Sequence, residues 1–143
     1  MKKLIFLLML LPTLALSQVR IEALQLNDST ATGATYAASQ IDTSIAYGMR
    51  DWDEAWVEFS ATDSVEINFG YMPSLDGSTF RAFIASDSLI SAVNAGNHVS
   101  FPIPAKAMGE HRVKFRLQFE AAGNGVTTPK YTARLIRKKY GRE

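Results

Sequence analysis

The chain has 143 residues, 47% of them hydrophobic, and 15 basic against 14 acidic side chains, for a formal net charge of +1. That length suits one domain with a core of its own. The absence of cysteine excludes a disulfide scaffold, thiolate chemistry and a lipid-modified cysteine, so the fold must rest on packing.

Met1–Ser17 reads as a secretory signal. Lys2 and Lys3 give a positive start, and Leu4 to Leu16 is an apolar run of 13 residues interrupted only by Pro12 and Thr13. Ala15-Leu16-Ser17 places small residues at the two positions a signal peptidase reads. Cleavage is expected before Gln18, leaving 18–143 as an exported domain of the periplasm, cell surface or medium. The apolar run is too short to cross about 30 Å of hydrocarbon as a helix, and no later segment is long enough, so no integral membrane segment is expected after cleavage.

Val19, Ile21 and Ala23 alternate as a first strand. Asn27 to Met49 is rich in Ser, Thr, Ala and Gly and reads as loop with at most one short strand. Val57 and Phe59 alternate with polar neighbours, as do Val65, Ile67, Phe69 and Tyr71. Asp76-Gly77 is a tight-turn signal, and a strand through Phe80, Ala82 and Ile84 is expected after it. Gly96-Asn97 marks a reversal before Val99, Phe101 and Ile103, where Pro102 and Pro104 indicate a strand edge or a bulge because they cannot donate to a ladder. Ala105 to Gly109 is a helical turn or a loop.

The clearest pattern is Glu110 to Glu120, with His111, Val113, Phe115, Leu117 and Phe119 on one side and Arg112, Lys114, Arg116 and Gln118 on the other. Gly123-Asn124-Gly125 then separates it from a last strand through Tyr131, Ala133 and Leu135, with Ile136 out of phase. Seven or eight short strands with turn signals between them predict an all-β fold, a single antiparallel β-sandwich of jelly-roll or Ig-like type.

Charge is unevenly distributed. Gln18 to Ser100 carries 3 basic and 11 acidic residues, and Phe101 to Glu143 carries 10 basic and 3 acidic. Such polarity fits head-to-tail association or docking on an anionic surface; the plainer alternative is acidic and basic strands side by side, neutralising each other. Arg112, Lys114 and Arg116 form a candidate charged patch, joined by Arg134 if the last two strands pair as a hairpin.

Asp51, Trp52, Asp53, Glu54 and Trp56 crowd into six residues and form the candidate ligand site. Indoles offer flat faces for a sugar ring, and carboxylates are hard ligands for calcium, although the spacing is not that of a calcium loop. The plain alternative is a solvated turn with one Trp in the core. His98 and His111 have no metal-motif neighbour, and neither G-x-S-x-G nor a phosphate-binding glycine loop occurs. No catalytic residue, metal or cofactor is expected. Export argues against nucleic acid as a ligand.

Tyr71 to Phe80, with its S-x-D-G-x-x-F hairpin, resembles small β-sandwich modules of phage virions and related surface proteins. It is similar, less specifically, to discoidin-like carbohydrate-binding sandwiches. The first resemblance extends over Ala55 to Lys138, with Glu110–Phe119 and Tyr131–Arg137 as the closing strand pair, and implies a structural or adhesive module without an active site. The expectation is therefore a non-enzymatic surface-interaction module with a protein partner or a second copy. The alternative is a glycan-binding module, calcium-assisted through Asp51, Asp53 and Glu54.

Overall fold

The computed structural model describes residues 17–27, 29–82, 84–122 and 129–141, with backbone alone at 85–92 and 121–122. The expected signal segment, apart from Ser17, and the Gly123-Asn124-Gly125 turn lie outside the described residues. In chain order the elements are β1 (Gln18–Ala23), β2 (Thr32–Thr35), β3 (Ile41–Thr43), β4 (Tyr47–Gly48), β5 (Glu54–Ala61), β6 (Val65–Ser74), β7 (Ile84–Val93), β8 (His98–Pro102), α1 (Ala105–Met108), β9 (Arg112–Ala122) and β10 (Lys130–Lys139).

These strands build two antiparallel sheets. One runs β1-β10-β5-β8, with β2 also on β10; the other runs β3-β9-β6-β7, with β4 also on β9. β1 pairs with Arg134–Lys139 and β2 with Lys130–Thr132, so the two occupy successive stretches of one edge. β3 and β4 divide the edge of β9 in the same way. Ten segments thus fill eight strand positions. Every link between successive positions crosses from one sheet to the other except the β6–β7 connection. That is the jelly-roll order rather than the immunoglobulin one.

Period-two alternation places the core between the sheets. Val57 and Phe59 of β5, Ile67 and Phe69 of β6, Val113, Phe115, Leu117 and Phe119 of β9, and Ala133 and Leu135 of β10 are all fully buried. Rings join the layers: Phe69 stacks on Phe101 at 4.9 Å between centroids, Phe119 lies 5.0 Å from Tyr131, and Phe59 lies 6.2 Å from Phe119. Burying each such side chain is worth roughly 1.5–3 kcal/mol. The Tyr131 hydroxyl also ties the sheets, donating to Asp42 Oδ2 at 2.5 Å. Burial first, then that carboxylate, raises this phenol above its ordinary range.

Several expectations change. Asn27–Met49 holds three short strands rather than at most one, each completed by long-range pairing to β9 or β10. Phe80 and Ala82 lie in no strand; β7 begins at Ile84. The loop before it is longer than a tight hairpin, and Asp76 organises it. Its Oδ1 accepts from the Ser78 and Thr79 amides, both at 2.8 Å, and from the Ser74 hydroxyl at 2.9 Å. Those bonds hold its carboxyl well below the usual range. The Glu110–Glu120 strand starts at Arg112, and His111 is exposed rather than part of the core row. The prolines do mark an edge, because β8 ends its sheet. The last two strands do not pair: β9 and β10 lie in opposite sheets.

Candidate functional site

Because Ala55, Val57, Phe59 and Ala61 point inward, Glu54, Trp56, Glu58 and Ser60 face outward on β5. Register then sets what stands beside them. Ile21 of β1, Ile136 of β10, Trp56 of β5 and Pro102 of β8 lie in one row across the whole sheet. On one side runs the row Val19–Lys138–Glu54, and on the other Ala23–Arg134–Glu58–Ser100. Ile21 is 61% exposed and Val19 55%, whereas Ile136 is only 8% exposed. Ile136 breaks the inward pattern of β10 because it belongs to this outer apolar row, between Ile21 and Trp56. At the β8 side the row opens into a groove of about 690 Å³, lined by Trp56, Pro102, Ile103, Ala105 and Met108 together with Asp53, Glu54 and Ser100.

Of the aromatic and acidic residues singled out in sequence, Trp56, Asp53 and Glu54 meet at this groove. Asp53 Oδ2 also accepts the Tyr140 amide at 2.7 Å, fixing the end of β10 beside it. Asp51 is exposed in the preceding turn. Among the described residues no group of three or more acidic or histidine side chains converges to hold a metal ion.

Trp52 belongs elsewhere. It is half-buried against the core, and the Arg137 guanidinium sits 4.9 Å from its ring and 5.7 Å from that of Tyr47. Arg137 is buried, ion-paired to Glu22, and donates to the Gly48 carbonyl at 3.0 Å. Glu22 also pairs with Arg20 at 2.9 Å. Burial draws the Arg137 pKa below its ordinary value, against the pull of Glu22. This cluster closes one end of the sandwich. Arg137 continues the inward series Tyr131, Ala133, Leu135 of β10, and that period-two position is the signal in the sequence for its burial.

The candidate charged patch is divided. Arg112, Lys114 and Arg116 face outward on β9, while Arg134 stands on the opposite sheet beside Glu58. The loop between β6 and β7 lies over the start of the β9 row. Lys114 Nζ is 4.5 Å from the centroid of the Phe80 ring. A side chain at Gly77, whose φ is +80°, would put its Cβ 2.9 Å from His111 Nδ1 and 3.4 Å from Arg112 Cδ. Arg116 Nη2 donates to Gln118 at 3.0 Å.

No protein-family model matches the chain, and no curated protein matches it. Among solved structures, the chain is similar over 87% of its length to the VP2 subviral particle of infectious bursal disease virus, with TM-score 0.52, 12% identity and 33% of that chain covered. The Gx strain of the same virus matches over 88% of this chain and 34% of its own, with TM-score 0.50 and 12% identity. A xylan-binding domain of Paenibacillus barcinonensis Xyn10C overlaps 89% of this chain and 86% of its own at TM-score 0.37 and 9% identity. The chain spans about a third of the length of the viral chains it matches. The viral likeness establishes a shared fold, a two-sheet β-sandwich.

Proposed function

We propose that this chain is an exported, non-enzymatic module that works as a structural or adhesive element through the outer face of the β1-β10-β5-β8 sheet. The observation that carries this reading is the row Ile21–Ile136–Trp56–Pro102, which sets apolar side chains across all four strand positions of a face turned to water. Isolated surface hydrophobics are ordinary, but a connected row marks a contact site. The Met1–Ser17 pattern supports export. The fold shared with a subviral particle supports a role as a building or surface unit.

The test applies purified Gln18–Glu143 to the cells that produce it and measures retention. Ile21→Ser combined with Trp56→Ala is expected to cut retention about tenfold or more, as loss of interface anchors does. Lys114→Ala, on the other sheet, is expected to leave it unchanged. The reverse pattern would overturn the assignment.

A second reading is favoured by the groove itself, where Trp56 stands beside Asp53, Glu54 and Ser100: an indole face with hydroxyl-accepting groups suits a glycan. Glycan-array binding lost in Trp56→Ala and kept in Ile21→Ser would favour this reading over the first.

A further inference from the structure

We propose that the outer face of the β1-β10-β5-β8 sheet is covered by a second copy of this chain, related by a two-fold axis that runs along the strands between β5 and β10. This inference deepens the contact-surface reading and rests on it.

Charge is arranged around the apolar row in a self-complementary order. On the β10 side stand Lys138 and Arg134; on the β5 side, in the same two rows, stand Glu54 and Glu58. The apolar row lies between those charged rows. A half-turn about an axis lying in the plane of the face, along the strands and midway between β5 and β10, exchanges those two strands and keeps each row at its own height. Ile136 then lies over Trp56 of the second copy, and Ile21 over its Pro102. Lys138 comes over Glu54 and Arg134 over Glu58, each pairing occurring twice by symmetry. Two sheets meeting in this way pack about 10 Å apart, with their strands within about 30° of each other.

Two alternatives fit less well. A partner that is merely apolar would satisfy the central row, but a partner with acid facing base on either side is needed for the flanking rows. This chain presents that layout in mirror order. Stacking this face on the outer face of the other sheet would set Lys138 and Arg134 towards Arg112, Lys114 and Arg116, and like charges brought together disfavour it. Within the sheet Arg134 stands directly across from Glu58 and Lys138 from Glu54, which leaves these rows electrically balanced, so covering them strands no net charge.

The test is the mass in solution of Gln18–Glu143, which contains every described strand and the whole core, by sedimentation equilibrium. The wild-type chain is expected to form a dimer that weakens as salt rises. Arg134→Glu alone, and Glu58→Arg alone, are each expected to weaken dimerisation by about tenfold or more, because each places like charges together twice. An equimolar mixture of the two variants is expected to recover the dimer, since each then meets its opposite across the interface. In-sheet pairing offers no such recovery, because it lies within one copy. Circular dichroism of each variant confirms that it is folded.

A wild-type chain that stays monomeric at every concentration overturns the second copy. If Ile21→Ser with Trp56→Ala still abolishes retention on cells, the contact-surface reading stands without it. A dimer broken by Lys114→Glu, or one that the variant mixture fails to restore, overturns the arrangement.

Discussion

The two outer faces of this sandwich are built by the same alternation, yet they end differently. On the β3-β9-β6-β7 sheet the outward row of β9 is basic, and the chain's own β6–β7 loop reaches over it, with Phe80 on Lys114 and Gly77 against His111 and Arg112. On the β1-β10-β5-β8 sheet the outward row is apolar at its centre, and Ile21 and Val19 remain largely open to water. Cations in water need no cover, whereas apolar side chains in water favour a partner. Exposed charge in a sequence is therefore a weaker guide to the contact surface than apolar residues on the outward side of a buried strand.

Each face can be disturbed separately. The largest effect is expected at the end cluster that anchors β1, which carries Ile21. Glu22→Ala leaves the buried Arg137 guanidinium without its carboxylate and is expected to lower stability by about 3 kcal/mol, measured by urea unfolding. The same change is expected to impair association, because β1 loses an anchor to β10. A smaller effect is expected on the other face. Gly77→Ala strains a backbone at φ +80° and crowds His111, and is expected to cost about 1–3 kcal/mol. By lifting the loop from β9 it should also delay elution from a heparin column, since Arg112 and Lys114 become more accessible. Unchanged elution would mean that the loop does not shield the basic row.

Much of the core was readable in sequence. Val113, Phe115, Leu117 and Phe119 alternate without a break, and both the face they bury and the strand they form follow from that period. The short strands between Thr32 and Gly48 were not readable. They span only two to four residues, too short for an alternation to show, and their order comes from partners more than 60 residues away in β9 and β10. Whether the last two strands pair was not readable, because neighbouring strand patterns look alike whether the chain returns to one sheet or crosses to the other. In the candidate site, the cluster Asp53, Glu54 and Trp56 was visible as composition, but its separation from Trp52 was not: the turn before β5 sends the two indoles to different places. Ile136, out of phase with its strand, was the one local sign of the outer apolar row. Its meaning depended on register with Ile21 and Trp56.

Acrylamide quenching distinguishes the two indoles as protein concentration rises. With Trp52→Phe, acrylamide quenching reports Trp56 alone; with Trp56→Phe it reports Trp52 alone. On association, quenching of Trp56 is expected to fall several-fold while that of Trp52 stays constant. Equal change at both indoles, or none at Trp56 while the particle mass rises, would contradict the assignment of the contact surface to this sheet.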